Sequence, residues 1–345
     1  MFTWFSRSAR IQPKRFGRFR PAVEQLEGRE LMSATTSAVS WGPPQAPYSA
    51  MFAIDSSTHH VVEYWDTNNQ ANRSDLSFWG GPAQASAVSA GLDGQGNPEV
   101  YVLGSDHSVW SCHSGAWFPA WSQLASPGWA TQISGTRDGY VFAVGPGGNV
   151  FENAGSGNAN TWQSLGAPSW TIYWGGMQFT FSGATQVSAP NRFMVYAISD
   201  NHAIYAYDNG WQLIDSGHYF TEIAAGAHAT VFAIDYGGAL YSVALSRWGP
   251  QWREFNIGNP ESGSRFVDLS VGQNFGGFDQ LYTVNSWGDA YRLDNYGWQF
   301  VDAGVHEIAA ADNNTFFDVG FGSPYEYDPL NNWPNHFVPL GGSVL

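Results

Sequence analysis

The chain of 345 residues contains one cysteine, Cys112, so no internal disulfide can form and cysteine usage does not report the compartment. Within "VWSCHSG" it reads as a small half-buried strand residue. A cysteine nucleophile needs a partnered base, and His113 next door points to the opposite sheet face. No run of about 18 apolar residues exists, so no helix can cross a membrane and no membrane insertion is expected. Charged residues make up only 12% of the chain, below the usual quarter. Lysine is almost missing, Lys14 being the only one. Residues 1–33 hold seven of the 14 basic residues and just three of the 29 acids, Glu24, Glu27 and Glu30. From residue 34 onward seven arginines face 26 acids, a net charge of −19. A body that acidic repels nucleic acid, which requires a positive footprint. Nucleic-acid binding is excluded.

Motifs for metal, nucleotide or hydrolase chemistry are also lacking: there is no His-Glu-x-x-His, Cys-x-x-Cys, Gly-x-x-x-x-Gly-Lys or Gly-x-Ser-x-Gly. No cofactor is expected. The one adjacent histidine pair, His59-His60, falls in a turn with its side chains diverging. "GLDGQGNPE" is a weak calcium-loop match through Asp93, Asn97 and Glu99, and reads better as a Gly-rich hairpin. A glycosidase requires two carboxylates about 5 to 9 Å apart. The acids here are scattered, many at turns (Asp106, Asp200, Asp208, Asp235), where Asp bonds its own backbone. The expectation is a protein that is not an enzyme.

What the chain does have is glycine and aromatics: 40 Gly, 17 Trp, 16 Tyr and 23 Phe. They fall in a repeat. Hairpins of one shape recur at "YVFAVGPGGNVFEN", "MVYAISDNHAIYAY", "TVFAIDYGGALYSV" and "QLYTVNSWGDAYRL". Their second strands align at Val62, Trp110, Phe151, Tyr205, Tyr241, Tyr291 and Tyr325, a mean spacing of about 44 residues. A Trp-led strand follows, at Trp121, Trp162, Trp211, Trp252 and Trp298. A small-residue strand precedes each hairpin, as in "SAVSAG", "ATQISG" and "TEIAAG". Four strands per unit at this spacing mark a β-propeller blade. Small residues suit the crowded centre, and large aromatics fill the widening gap between blades.

Units begin near residues 37, 86, 130, 170, 220, 265 and 305, so the fold class is all-β, a single propeller of seven four-stranded blades over 37–342, with six blades as the alternative count. The fourth unit is long and is read with residues 175–193 inserted between its first two strands. Residues 1–36 form a basic N-terminal export or linker segment, disordered or partly helical.

The small-residue Gly-ended strand, then "VFAI..GGALY", then "W..L" resembles tectonin-type propellers. It is also similar to bacterial seven-bladed fucose-binding lectins, whose "W..LG" ending matches "WQSLG". The resemblance implies glycan binding between blades and recognition outside the cell; no unit matches a family site motif closely enough to carry residues over. Leu26, Glu27, Arg29, Leu31, Met32 and Ser33 in "VEQLEGRELMSA" resemble the Leu-Glu-x-Arg-x-Leu-(Leu/Met)-Ser segment of exported planctomycete-type proteins. That implies an extracellular or cell-surface location in a bacterium.

In-register tryptophans are assigned to packing. Off-register Trp117, Trp129, Trp170, Trp174 and Trp287 are candidate sugar-stacking residues, although packing competes at each. The turn between second and third strands carries His107, His202, Tyr236, Trp287 and Phe321, which would form an aromatic ring at one rim if the positions are equivalent. The function read from the sequence is non-catalytic recognition, with carbohydrate as ligand. A protein-binding or envelope scaffold using the same rim is the alternative. The partner is thus a glycan or a surface protein.

Overall fold

The structure, a computed structural model, describes residues 36–41, 48–66, 71–114, 119–155, 161–174, 177–228, 230–246, 249–254, 263–274, 277–294, 297–311, 315–320, 323–327 and 337–340. All belong to the unit Met32–Leu345, the other unit being Met1–Leu31. The expected N-terminal segment, Trp117 and Phe321 fall outside the described residues.

Seven four-stranded antiparallel sheets follow one another, each with its strands in chain order, and the architecture is a seven-bladed β-propeller. The first strands of blades 1 to 7 are Thr36–Trp41, Ala85–Leu92, Gln132–Gly135, Ala184–Asn191, Phe220–Ala225, Phe266–Gln273 and Val305–Ala310. Each lies against the first strand of the next blade, and the seventh lies against the first. Among the described residues no strand is shared between the chain ends: blade 7 ends on its own strand Phe337–Pro339.

One expectation is corrected. Ser169–Trp174 pairs with Met177–Ser182 as a separate two-stranded hairpin ahead of blade 4, not as that blade's first strand. "SWTIYW" alternates like a strand, but it lacks the polar–apolar–Ser order found in the first strands of blades 3, 4 and 6. Gln186, Val187 and Ser188 supply that order.

This order is what joins the blades. Ser Oγ on one first strand accepts the backbone N–H of the next: Ser37 from Ala90 (2.8 Å), Ser89 from Gly135 (2.8 Å), Ser134 from Ala189 (3.1 Å), Ser188 from Ala225 (3.0 Å) and Ser270 from Ala310 (2.9 Å). Two residues earlier, a longer acceptor does the same. Gln132 accepts from Val187 (2.9 Å), Gln186 from Ile223 (2.9 Å), Glu222 from Leu269 (3.1 Å), Asp268 from Ile308 (2.8 Å) and Glu307 from Thr36 (2.8 Å). Together these ten bonds cross every junction of the ring, Glu307 to Thr36 closing it.

The intervening residue points the other way, as a strand's period of two requires. Val88, Ile133, Val187, Ile223, Leu269 and Ile308 are all buried in apolar clusters. In blades 4, 5, 6 and 7 the ladder register shifts just before the longer acceptor, at Ala184/Gln186, Phe220/Glu222, Phe266/Asp268 and Val305/Glu307, and blade 2 shifts at the matching Ala85/Ala87. A bulge re-aims the side chains that follow it. Small residues are needed because the strands nearly touch: a Cβ at Gly91 would lie 2.5 Å from the Thr136 carbonyl oxygen.

Further out, aromatics fill the gaps, and the in-register tryptophans also donate to the preceding blade. Trp121, Trp162 and Trp211 give their indole N–H to the carbonyls of Leu76 (2.9 Å), Leu124 (2.9 Å) and Gly166 (3.2 Å).

Two carboxyl features break the apolar pattern. Burial pushes Glu222 and Asp268 up, and the charge of Asp268 and the hydrogen bond between them raise Glu222 further. Asp318 is fully buried where the other blades carry Ala53, Val102, Ala143, Ala197, Ala233 and Thr283, and neither of its oxygens has a hydrogen-bond partner. Burial, and then the charge of Asp302, raise it to about 8.

Removing the ring-closing acceptor by Glu307→Ala should lower unfolding free energy by about 1–3 kcal/mol in urea denaturation, since a buried N–H loses its partner. Glu307→Gln, which keeps an acceptor oxygen, should retain most of the stability. For Asp318, the folded pKa of about 8 lies above the unfolded value of about 4. Its contribution is therefore fully present below about pH 4 and is lost as pH rises to about 8. Thermal unfolding across pH 4 to 9 should show that decline, and Asp318→Ala should flatten it and raise the melting temperature at pH 8. A wild-type profile that is flat over this window contradicts the assignment.

Candidate functional site

The turns between second and third strands lie on one face of the ring. In blades 2 to 6 each is a four-residue turn, closed by His107 N–H to Gly104 (2.8 Å), Gly148 to Gly145 (3.1 Å), His202 to Ser199 (2.8 Å), Gly238 to Asp235 (2.8 Å) and Gly288 to Asn285 (2.9 Å). The fourth residue is left-handed in every case, with φ of 64°, 69°, 63°, 77° and 84°. Glycine adopts this freely; histidine does so only under constraint.

That constraint is visible. The carbonyls of His107 and His202 accept the N–H of Ala130 (3.0 Å) and Phe220 (3.1 Å), which open or immediately precede the next blade's first strand. Each imidazole Nδ1–H donates back to the carbonyl of the same residue, at 2.8 and 3.0 Å. These histidines are clasps between blades. Tyr236 is the second residue of its turn and Trp287 the third, so the sequence-read ring of equivalent aromatics resolves into three different turn positions.

Tyr236 and Trp287 nonetheless belong to one continuous surface. The His202 ring lies 5.7 Å from Tyr219, and the Tyr219 carbonyl accepts the Tyr236 N–H at 2.7 Å. Beyond Gly238 comes Arg265, whose carbonyl accepts Ser286 N–H at 2.7 Å and whose N–H donates to Ser286 Oγ at 3.2 Å. Trp287 is the next residue. Tyr219, Tyr236 and Trp287 are 68%, 70% and 58% exposed. The result is an arc of exposed rings with one guanidinium, spanning blades 4 to 6. Tyr219 and Arg265 lie just ahead of a first strand, and nothing in their local sequence sets them beside the turns of Tyr236 and Trp287.

The turn side chains on this face are occupied. Asp235 Oδ1 accepts Ala239 N–H (2.8 Å) and its Oδ2 accepts the Tyr241 hydroxyl (3.0 Å). Asn285 Oδ1 accepts the N–H groups of Trp287 (2.9 Å) and Asp289 (2.9 Å). Asp106 Oδ1 accepts from Ser108, both its N–H (3.0 Å) and its hydroxyl (2.5 Å). These hydroxyl and backbone bonds hold Asp106 below its usual range.

Of the remaining candidates, Trp129 is half-buried between Phe151 and Trp162, at ring separations of 4.9 and 4.6 Å. It packs. Trp174 pairs with Met177 at the tip of the extra hairpin, and Trp170 pairs with Phe181 near its open end.

The opposite face carries a polar cavity of about 390 Å³ between blades 2 and 3. Asp93, Gln95, Glu99 and His113 line it from blade 2, Gly139 and Ala154 from blade 3. Asp93 Oδ1 accepts the N–H groups of Gln95 (2.8 Å) and Asn97 (2.8 Å), and its Oδ2 accepts Asn97 Nδ2 (2.9 Å). Burial alone would raise Asp93, but these bonds and the nearby His113, 3.7 Å away, hold it below the usual range. Glu99 is fully buried, and its Oε2 accepts the Tyr101 hydroxyl at 3.0 Å. Burial and then the Glu99 charge push the Tyr101 phenol up, so it stays a donor. Among the described residues no three His, Cys, Asp or Glu side chains are grouped to hold a metal ion.

Replacing Tyr236 or Trp287 by Ala should change stability by no more than about 0.5 kcal/mol. Trp129→Ala should cost about 3 kcal/mol, the low end for a packed aromatic. Chemical denaturation reads both.

No family model matches the chain, and no curated protein matches it. Solved structures do. A chain of the complex of Kap60 with yeast RCC1 (Prp20) is 11% identical with a TM-score of 0.50, covering 95% of this chain and 86% of that one. A chain of YCF48 bound to D1 peptide is 13% identical with a TM-score of 0.51, covering 83% and 95%. The β-propeller domain of Cps50 (Swd1) from Myceliophteria thermophila is 7% identical with a TM-score of 0.52, covering 84% and 94%. At these identities the likeness is one of fold, and the fold it supports is the β-propeller.

Proposed function

We propose that the protein is a non-catalytic recognition propeller that binds a protein partner through the arc of Tyr219, Tyr236, Arg265 and Trp287. The single observation carrying this reading is the arc itself: Tyr, Trp and Arg, the residue types that dominate binding energy at protein interfaces, exposed side by side on three blades. Arg265 stands out on an acidic body, and suits a partner with an acidic or carbonyl-rich contact. As an analogy of fold alone, the Kap60 complex and the YCF48–peptide structure are consistent with a propeller engaging polypeptide.

Carbohydrate is the second reading, favoured by the same exposed ring faces. It needs polar partners for the sugar hydroxyls, and the turn side chains Asp106, Asp235 and Asn285 already accept bonds from within their own turns. An enzyme would need a free carboxylate pair. Asp93, one of two carboxylates at the cavity, is engaged in its own turn. The basic N-terminus with Leu26, Glu27 and Arg29 supports a location outside the cytoplasm.

The test is selection of binding peptides from a displayed random library against the full chain, alongside a glycan array. Selected peptides should bind the wild type and lose about tenfold or more with Tyr236→Ala or Trp287→Ala. Peptides indifferent to both variants would refute the arc. Glycan binding competed by free monosaccharide and lost in the variants would establish the carbohydrate reading instead.

A further inference from the structure

The hairpin of Ser169–Trp174 and Met177–Ser182 stands outside the seven blades, which are complete without it. A two-stranded ribbon is marginal by itself in water. Its place in the fold is informative. Ser182 runs into Gly183, whose carbonyl accepts the Asp200 N–H at 3.0 Å, and Asp200 shares its turn with His202. The His202 ring lies 5.7 Å from Tyr219, where the arc begins. The hairpin therefore springs from the rim that carries the arc, at its blade 4 end.

The phase of the ladder shows which backbone groups look outward. Gly183 donates its N–H to the Pro168 carbonyl at 3.0 Å, so these two residues form a hydrogen-bonded pair. Pairing then runs without a shift from Ser169 opposite Ser182 to Trp174 opposite Met177. Bonded and non-bonded pairs alternate in an antiparallel ladder. Trp170 with Phe181, Ile172 with Phe179 and Trp174 with Met177 are thus bonded to each other. Ser169 with Ser182, Thr171 with Thr180 and Tyr173 with Gln178 turn their N–H and C=O groups outward. The Thr171 and Thr180 hydroxyls meet at 3.1 Å, as the closer approach of a non-bonded pair allows. Gln178 and Thr180 are exposed, and among the described residues no strand pairs with their outward side.

Edge strands are ordinarily guarded by charge, proline or a bulge. This edge has none of the three. Its sequence is Met-Gln-Phe-Thr-Phe-Ser, its ladder is unshifted, and no Asp, Glu, Lys, Arg or His occurs between Glu152 and Arg192. A row of alternating backbone donors and acceptors is matched by another extended backbone.

We propose that an uncharged, extended segment of a polypeptide partner adds to this edge as a third strand, its backbone bonding Gln178 and Thr180. Apolar residues of the segment fall opposite Phe179 and Phe181, in the alternation that the hairpin itself shows. The inference rests on reading the protein as a binder of polypeptide and extends it: the arc takes side chains, and the hairpin edge beside it takes main chain.

The test uses peptides enriched on the full chain from the displayed random library, each synthesised with a methyl group on one backbone nitrogen at a time. Affinity should fall about tenfold or more for methyls at alternate residues of one segment and hold at the residues between, because an added strand bonds the edge through every second residue. Thr180→Pro removes one outward N–H and none of the hairpin's own bonds, and should weaken the peptides about tenfold or more. Thr180→Ala keeps that N–H and should bind as the wild type does. Should Thr180→Pro lower the melting temperature, the methylation pattern on the wild type decides. Full affinity in a folded Thr180→Pro protein, or methylation losses without a two-residue period, would overturn the proposal. Full affinity in Thr180→Pro with a loss in Tyr236→Ala overturns the added strand and leaves the arc. A loss in Thr180→Pro with none in Tyr236→Ala refutes the arc and leaves the added strand.

Discussion

Everything in this molecule rests on a side-chain oxygen reaching from one first strand to the backbone N–H of the next. A propeller first strand has a sheet partner on one side only, and its outward N–H groups face the neighbouring blade. Ser37, Ser89, Ser134, Ser188 and Ser270 satisfy one such N–H; Gln132, Gln186, Glu222, Asp268 and Glu307 satisfy another. Among the described residues no strand is exchanged between the chain ends, so there closure lacks ladder support. The Glu307–Thr36 bond and the packing of Met51, Val62 and Tyr64 against Phe317 and Val319 stand in for it.

The same requirement explains the unusual carboxyls. Any acceptor of the right length serves as a spoke, and blades 3 and 4 use neutral Gln where blades 5, 6 and 7 use acids. Adjacent buried acids cannot both ionise freely, so Glu222 and Asp268 titrate as a pair with both pushed up. The spoke pattern is met at the price of tying that side of the ring to proton concentration. Asp318 belongs to a different wall and has no such structural return, since Ala or Thr fills its position in neighbouring blades.

The architecture was legible because the repeat is written in residues with no freedom to change. Small and polar side chains are forced at the centre by strands in near contact, and a tryptophan is forced outward because its indole bonds the preceding blade. Blade 4 was misjudged for a related reason. "SWTIYW" has the right alternation, and alternation alone does not distinguish a blade's first strand from an added hairpin. Only the Gln-x-Ser order does, and its meaning emerges once the acceptors have partners. The rim was half legible. Aromatic side chains mark the turns, but the hydrogen bond that sets a turn's register is backbone to backbone, so His107, Tyr236 and Trp287 look alike in sequence while holding three different places. Tyr219 and Arg265 are neighbours of these turns only through space.

The two faces of the ring divide along the same logic. On the face of second-to-third-strand turns, left-handed residues spend their carbonyls on the next blade, as His202 does for Phe220 and Gly238 for Phe266. Polar groups there are consumed in holding blades together, and what remains outward is ring surface. On the opposite face the first-to-second-strand turns are clasped by side chains, Asp138 accepting the Arg192 N–H (3.1 Å) and Asp279 the Ala227 N–H (2.8 Å), while Asp93 orders its own loop. Exposed ring surface therefore gathers on the face where the turn backbones bond the next blade.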